Sequence, residues 1–397
     1  MSELTNEGMK MKQHMIHLAS AVDCTACAAC VSVCPKQCIS MREDREGFLQ
    51  PKIDAKLCIE CHRCEKVCPI LNPVAIPNDF ETKAYAAINK DDEVRAQSSS
   101  GGVFFPLAQW IIEQGGVVFG ARWNDKWEVV HDYAEDLAGV KAFMRSKYVQ
   151  SVVGDTLKQA KSFLEAGRWV LYSGTPCQIG GLKAYIGKEY DKLITVDLIC
   201  HGVPSPGVWR SYLKDYFGKD KILDINFRDK SEGWLGFQFF TTTTTTTTTT
   251  TRRDKQMENP YFRGFLLNVY LRNSCYDCRF RQYHRVSDLT IADYWGVEKF
   301  CPEMHDDKGT SIVLVHTEKG KSIMAEMDSI ISVLQQKSNL LVYNSSMEVN
   351  ESKPQNRTFY FHMFHHFGFR KSEFAISTSS IFKRIIRKIK RKITSHN

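Results

Sequence analysis

Eight cysteines near the start of the chain fall into two runs with the same internal spacing. Each run has the form Cys-x2-Cys-x2-Cys-x3-Cys-Pro, and the runs contain Cys24, Cys27, Cys30 and Cys34, then Cys58, Cys61, Cys64 and Cys68. With two such runs, three close thiolates bind one 4Fe–4S cubane, and the fourth, ahead of its proline, binds the other. Zinc also accepts four thiolates, but its sites rarely combine this spacing with a Cys-Pro pair, so we favour iron.

The pattern therefore predicts two 4Fe–4S clusters, and we name their ligand sets. The first set is Cys24, Cys27, Cys30 and Cys68. The second set is Cys58, Cys61, Cys64 and Cys34. Two clusters in one small domain form a one-electron relay, and such a relay needs a terminus elsewhere in the chain.

Four later cysteines form a third set, Cys177, Cys200, Cys275 and Cys278. An α/β pattern predicts a helix over 155–166, strands over 169–173 and 193–199, and between them a helix that opens at Cys177. Parallel strands joined by a helix end at the crevice where α/β folds bind ligands, so Cys177 and Cys200 are expected at that edge. The Cys275/Cys278 pair alone fits a redox dithiol, zinc or a cluster.

The third set therefore leaves two interpretations open, a further cluster or buried structural cysteines. Of the 14 cysteines in the chain, Cys38 and Cys301 then remain unassigned.

The sequence also predicts further turns, helices and strands around these cysteines. A serine–glycine turn over 98–102 precedes a helix over 103–113 and a strand over 117–123, and such a turn either binds an anion at a helix start or simply caps the helix. A strand leading into an aromatic–glycine turn is predicted over 287–296, a further strand over 311–316, and a helix over 318–328. The cluster of His362, His365 and His366 lacks cysteines or carboxylates at ligand spacing, which favours surface or packing histidines.

Composition indicates a globular chain of two or three domains. The protein has 397 residues, of which 43% are hydrophobic and 25% charged. Its first 20 residues have no apolar core like that of a signal peptide, and no run of 18 apolar residues occurs, so we expect a cytoplasmic protein. Seven basic residues between Lys383 and Lys392 account for most of the net charge of +8. The rest carries about +1, which does not indicate a nucleic-acid partner.

The chain resembles the family of coenzyme F420 hydrogenase/dehydrogenase beta subunits, in its bacterial form with a two-cluster ferredoxin domain fused in front. The resemblance extends from about Cys24 to about Arg370 and depends on several motifs in the same order, at 99–103, 146–151, 174–178, 200–206, 275–278 and 288–296. It implies FAD and a third 4Fe–4S cluster, whose ligands would be the third set.

The resemblance also suggests flavin contacts. Ser100, Gly101 and Gly102 would bind the pyrophosphate, and Lys147 would face the ring or the phosphates, because a cation near N1 stabilises the anionic reduced flavin. Asp293 and Trp295 would line the ring. For each residue, packing or helix capping is the alternative interpretation. No catalytic residue is indicated.

The predicted fold class is α+β and α/β multidomain, a dicluster ferredoxin domain followed by a mixed α/β flavin-binding domain. The predicted segments are the ferredoxin domain over 15–75, the N-terminal part of the flavoprotein region over 80–155, and the α/β flavin and iron–sulfur domain over 156–370. A basic amphipathic tail follows over 371–397. The eleven threonines from Thr241 to Thr251 depart from the family pattern and are expected to lengthen a surface hairpin.

The first predicted function is an iron–sulfur flavoenzyme that reduces a small-molecule substrate with electrons from a ferredoxin-like protein. The resemblance suggests a polysaccharide or cell-envelope substrate. The alternatives are an electron-transfer beta subunit of a larger hydrogenase/dehydrogenase-type complex, and a protein whose clusters only hold the fold. A homo-oligomer is left open. Isoleucines at helical spacing among the basic residues of 381–393 suggest an interfacial helix on an anionic inner membrane surface, with a solvated or partner-docking helix as the alternative.

Overall fold

The computed structural model describes residues 16–77 and 79–394, with side chains as far as Ile376. Within these residues the strands are β1 (Ile39–Glu43), β2 (Leu49–Ile53), β3 (Lys83–Asn89), β4 (Val117–Trp123), β5 (Val129–Ala134), β6 (Val170–Ser173), β7 (Leu193–Leu198), β8 (Lys221–Asp229), β9 (Gln238–Thr244), β10 (Thr249–Lys255), β11 (Leu289–Asp293), β12 (Ser311–Val315) and β13 (Ile330–Gln335).

The α-helices of the same residues are α1 (Ala29–Val33), α2 (Arg63–Lys66), α3 (Asp92–Gln97), α4 (Phe104–Glu113), α5 (Leu137–Val140), α6 (Thr156–Glu165), α7 (Pro176–Ile186), α8 (Pro206–Phe217), α9 (Pro260–Leu266), α10 (Val297–Phe300), α11 (Glu318–Ala325), α12 (Lys337–Leu341) and α13 (Arg357–Thr394). Short 3-10 helices cover Lys141–Phe143, Asn273–Cys275, Pro302–Met304 and Ser345–Met347. The elements predicted between residues 103 and 199 are confirmed to within a residue or two at each end.

An eight-stranded mixed sheet forms the centre of the molecule, in the order β13-β3-β12-β11-β7-β6-β4-β5. The four neighbours β11, β7, β6 and β4 are parallel to one another. Because side chains alternate along a strand, β4 directs Val118 toward the face covered by α4 and α11, and Val117 toward the face covered by α6 and α7. The predicted segments 80–155 and 156–370 both contribute strands to this sheet.

A second, three-stranded antiparallel sheet has the order β10-β9-β8. The threonine run forms the hairpin between β9 and β10, with Thr244 opposite Thr249, as predicted. One face of this sheet packs with α8, α9 and α13 in a core rich in aromatic side chains, including Trp209, Phe227 and Tyr261. This core holds the small sheet close to the carboxyl end of the large one.

The last helix, α13, has a kink at Gly368, where φ is 75°. The amides after the kink bind α8, since Phe369 N donates to Ser211 Oγ and Arg370 N to Asp215 Oδ2. His362, His365 and His366 lie on the first part of α13 and are exposed. The side chains of residues 377–397, on which the prediction of a membrane-surface helix depends, lie outside the described residues. Within the part of the chain that is described, no helix is both long and apolar enough to span a bilayer.

The N-terminal cysteine-rich part is built on the β1–β2 hairpin and the short helices α1 and α2, and it packs directly against the rest of the chain. Gly181 of α7 touches Cys27, because a Cβ atom at Gly181 would lie 2.6 Å from the Cβ atom of Cys27. Only glycine allows this approach. The first cysteine set is therefore packed against the helix that carries Cys177.

Arg272 also connects the N-terminal cysteine-rich part to the rest of the chain. It lies in the interface between them and is 1% exposed. Its Nε donates to the carbonyl of Cys24 at 2.6 Å, Nη1 to Oε1 of Gln150 at 3.1 Å, and Nη2 to the carbonyl of Leu49 at 3.0 Å. All three acceptors are neutral oxygens. One side chain thus holds a cysteine loop, the β2 strand and the segment after β5 together.

We expect Arg272→Met to loosen this interface, because three buried oxygens lose their donor and each costs about 1–3 kcal/mol. Hydrogen–deuterium exchange should accelerate by about 100-fold around Cys24 and β2, which corresponds to ~2.7 kcal/mol of lost local stability. Arg210→Met is the matched control, because Arg210 crosses the same boundary through an exposed pair with Glu43 that is worth less than about 1 kcal/mol. Equal exchange in the two variants would contradict the role given to Arg272.

Candidate iron–sulfur and cofactor sites

The structure brings the N-terminal cysteines together in the two groups expected from their spacing. One cavity is lined by the first set, Cys24, Cys27, Cys30 and Cys68, together with apolar residues such as Leu18 and Met41. A second cavity is lined by the second set, Cys34, Cys58, Cys61 and Cys64, and also by Cys38. The ligand roles of these cysteines remain predictions, but each group surrounds one space.

The two cysteine loops have the same backbone conformation. Ala26 and Ala28 in the first run, and Glu60 and His62 in the second, all have positive φ, at 58°, 62°, 53° and 55°. This conformation is uncommon for residues with a Cβ atom. As a result, Ala26 N points at Cys24 Sγ and Glu60 N at Cys58 Sγ, each at 3.4 Å. Amide donors of this kind favour thiolates and tune the potential of a bound cluster.

The third set is also assembled. Cys177 begins α7 after β6, Cys200 follows β7, and Cys275 and Cys278 come from the loop after α9. Val203 N lies 3.5 Å from Cys275 Sγ, an amide–sulfur contact like those of the N-terminal loops. The carboxyl ends of β6 and β7 therefore carry Cys177 and Cys200 at one sheet edge, as predicted.

The pKa values of these thiols report their mutual proximity. The pKa of Cys200 is raised to about 11, mainly by loss of water and also by neighbouring Cys278. Loss of water likewise raises the pKa of Cys275 to about 12, and Cys200 and Cys278 add to the shift. The pKa of Cys177 is raised for the same reason and by all three other members.

A cluster of thiols that hinder one another's ionisation fits a metal group. Metal coordination deprotonates a thiol outright, since the cation compensates the crowded negative charges. The thiols of the first set hinder one another's ionisation in the same way. The pKa of Cys27 is raised to about 12, mainly by loss of water and also by Cys24 and Cys68. Among the described residues, no three His, Cys, Asp or Glu side chains are arranged to hold a single metal ion. The donor sets of all three groups suit iron–sulfur clusters, which are larger.

Two of the residues expected to contact a flavin, Asp293 and Trp295, meet around Arg228, near the end of β8. The Arg228 guanidinium is almost fully buried and forms a two-pronged ion pair with Asp293, with distances of 2.7 and 2.9 Å. Its carbon atom lies 3.8 Å from the ring centre of Phe237 and 5.1 Å from that of Trp295. Trp234 stacks on Trp295 at 4.7 Å and donates to Asp293 Oδ1. We call this group the Arg228 site.

The serine–glycine turn over 98–102 is part of the same site, because Arg228 Nη2 donates to the carbonyl of Ser99. Gly101 packs tightly on the large sheet, where a Cβ atom would lie 2.3 Å from the carbonyl oxygen of Ala87. Its N–H is already bound to Ser311 Oγ, and Ser100 Oγ donates to the carbonyl of Thr310. The pyrophosphate contact predicted for this turn would therefore have to use Gly102 or the second hydrogen-bonding capacity of Ser100.

Two lysines belong to segments that contact the serine–glycine turn, Lys147 directly after Ser146, which donates to Ser99 Oγ, and Lys230, which donates to the carbonyl of Ser100. Lys147 Nζ donates to the carbonyls of Met144 and Arg145, and loss of water, with Arg145 nearby, lowers its pKa to about 7. Lys230 Nζ donates to the carbonyls of Arg95, Ser100 and Lys308, and loss of water lowers its pKa to about 8. The hydrogen-bond partners of Lys147 Nζ are neutral carbonyls, whereas Lys230 also has the carboxylates of Asp293 and Asp306 in its surroundings.

A row of rings connects the third set to the Arg228 site. His201, next to Cys200, packs edge-on against Phe265 at 4.9 Å, and Phe265 stacks on Tyr148 at 4.8 Å. Tyr148 Oη in turn accepts a hydrogen bond from Arg228. The two candidate sites are thus joined by direct packing.

Sequence reasoning missed the two arginines that organise these sites. Arg228 lies in a strand ahead of the threonine run, and Arg272 lies three residues before Cys275. The sequence offered one signal for Arg272, namely its position three residues before the predicted ligand Cys275, and none for Arg228. Neither residue belongs to a recognisable motif, because both act through contacts with segments distant in the sequence.

Comparisons with known proteins agree with this organisation. A 4Fe–4S dicluster domain matches residues 23–71, and the C terminus of the coenzyme F420 hydrogenase/dehydrogenase beta subunit matches residues 167–336. One of the subunits of the F(420)H(2) dehydrogenase from Methanosarcina mazei is 27% identical over 192 residues, 45% of this chain and 53% of that protein. The chain thus spans about half the length of this curated relative.

Two further proteins are similar over part or most of the chain. A protein named Ferredoxin 7Fe from Hydrogenibacillus schlegelii is 42% identical over 67 residues, 16% of this chain and 77% of that protein. A chain of the F420-reducing NiFe hydrogenase complex from Methanosarcina barkeri is 14% identical with a TM-score of 0.42, covering 78% of this chain and 96% of its own.

The dicluster domain and the mixed α/β region behind it define an iron–sulfur protein of the electron-transfer class. Over residues 167–336 the chain is similar to the C terminus of coenzyme F420 hydrogenase/dehydrogenase beta subunits, and a 4Fe–4S dicluster domain precedes this region.

We expect Asp293→Asn to destabilise the Arg228 site by about 3 kcal/mol, because it leaves a buried guanidinium without its counter-charge. Guanidinium-induced unfolding followed by tryptophan fluorescence would measure the change, since Trp234 and Trp295 lie in the site. The control is Asp132→Asn, which removes a half-exposed pair with Arg122 and should cost less than about 1 kcal/mol. A cost for Asp293→Asn as small as that of the control would show that the pair does not hold the site.

Proposed function

We propose that this protein is an iron–sulfur flavoprotein oxidoreductase that accepts electrons from a ferredoxin-like protein and uses them to reduce a small-molecule substrate. The observation that carries the proposal is the contact of Cys27 with Gly181, one helical turn after Cys177. It supports a continuous order of sites from the N-terminal cysteines to the third set. The suggested polysaccharide or cell-envelope substrate rests on the family resemblance alone.

We propose that each of the three cysteine sets binds one 4Fe–4S cluster. The Arg228 site would hold FAD, with Ser100 and Gly102 near the pyrophosphate, Lys147 facing the ring or the phosphates, and Asp293 and Trp295 beside the ring. Clusters transfer single electrons, whereas a flavin can collect two for an organic substrate.

Contacts between the chain's own residues support an order of these proposed sites. The first set packs against α7 through Cys27, and the backbone of Cys24 is bound by Arg272, close to Cys275. The second set includes Cys61, which is exposed. The second set is therefore the end that an external protein can approach, and the first set lies between it and the third. The aromatic row His201, Phe265 and Tyr148 then leads toward the Arg228 site.

We expect Cys278→Ala to lower the iron content by about four atoms per chain, because the proposed third cubane loses a corner ligand. Iron and acid-labile sulfide would be measured after anaerobic purification, together with the rate at which the flavin is reduced by the N-terminal clusters. Cys301→Ala is the matched control, since Cys301 is buried away from all three sets and contacts Glu303. Unchanged iron in Cys278→Ala would exclude the third set as cluster ligands.

A second function, an electron-transfer subunit of a larger complex, is favoured by one observation, since the Methanosarcina mazei relative is itself named as part of a dehydrogenase with several subunits. Turnover separates the two proposals. The isolated holoprotein should oxidise reduced ferredoxin when a competent small substrate, with coenzyme F420 as the first to be tried, is supplied without a second protein. Turnover that appears only when a stoichiometric partner protein is added would favour the second function.

A further inference from the structure

A fifth thiol, Cys38, lines the cavity of the second set. Cys38 is 5% exposed and comes directly before β1, where its carbonyl accepts a hydrogen bond from Asp54 N at 2.7 Å. Ile16 and Ile39 pack around it. The hairpin therefore holds this side chain in one place, beside the second set.

The Cys38 sulfur lies 3.4 Å from the sulfur of Cys34 and interacts with Cys58 as well. Between two free thiols, either sulfur can donate the proton. A coordinating cysteine is a thiolate and has no proton to give. When Cys34 binds iron, the hydrogen bond can therefore run in one direction only, from Cys38 S–H to Cys34.

The first set has no equivalent thiol. Its cavity is lined by its own four cysteines, with no fifth among the described residues that line it. The position that corresponds to Cys38, four residues after the last cysteine of the run, is Asn72, whose side chain donates to the carbonyl of Glu65 instead. A thiol donor is thus present beside the second site and not among the residues that line the first, where the hydroxyl of Thr25 acts on Cys27 instead.

We propose that Cys38 donates an S–H hydrogen bond to the Cys34 thiolate of the second cluster and thereby raises the reduction potential of that cluster, while leaving the first cluster unaffected. Reduction adds negative charge to the cluster and its sulfur ligands, and a donor stabilises the more negative state more strongly. The inference rests on the two clusters of the dicluster domain and on Cys34 as a ligand, and it does not need the third cluster, FAD or any substrate.

The test is a redox titration of the anaerobic full-length protein, followed by electron paramagnetic resonance, in Cys38→Ala, Cys38→Ser and Cys301→Ala. In Cys38→Ala, the midpoint potential of one N-terminal cluster should become more negative. At a fixed solution potential, the ratio of reduced to oxidised cluster should then fall about tenfold, which corresponds to ~59 mV for a one-electron couple. The other transition should stay in place. Cys38→Ser keeps a donor and should stay within about threefold of the unaltered protein, and Cys301→Ala should not change either transition.

Two results would overturn the inference. One is an unshifted pair of transitions in Cys38→Ala with full iron content. The other is the loss of about four irons in Cys38→Ala while Cys34→Ala keeps them, which would make Cys38 the ligand and Cys34 its neighbour. Neither result depends on turnover, so failure of the proposed oxidoreductase activity is a separate outcome.

Discussion

The arrangement of the molecule depends on Arg272, a buried cation whose hydrogen bonds go to neutral oxygens of three segments. Burying a guanidinium without a counter-charge is costly. Arg272 lies close to Cys275 and favours the thiolate there, although loss of water and the neighbouring thiols raise the pKa of Cys275 to about 12. The residue that docks the cysteine-rich part on the large sheet thus also lies beside a member of the proposed third ligand set.

A second constraint is the common edge of the large sheet. β6, β7 and β11 are parallel, so Cys177, Cys200 and Asp293 leave the sheet on the same side. The small sheet contributes Arg228 near this edge. The aromatic core beside the small sheet includes Tyr148 and Phe265, which lie between the third set and the Arg228 site. The geometry follows the general rule that α/β folds bind ligands outside the carboxyl ends of their strands.

Local patterns allowed a good part of this to be predicted. The spacing of the N-terminal cysteines anticipated the two groups that line separate cavities, and apolar periodicity located β4, β6, α7 and β7 nearly to the residue. The strand order could not be predicted from local sequence patterns. The strand β3 pairs with β12 and β13, and both of these strands lie more than 200 residues after β3 in the chain. For the same reason Arg228 and Arg272 were missed, since their partners Asp293 and Cys24 are distant in sequence. The amide of Gly101 shows what the pattern of the turn could not reveal, because it donates to Ser311 Oγ, on a strand more than 200 residues later in the chain.

The central claim of this account is that the third set completes a path from the dicluster domain to a flavin. It is tested most directly by the stoichiometry of iron, acid-labile sulfide and FAD in the unaltered protein after anaerobic purification. The account predicts about twelve irons, a matching amount of sulfide and one FAD per chain, as three cubanes require. About eight irons without flavin would contradict it and would leave a protein that carries electrons only on its N-terminal clusters.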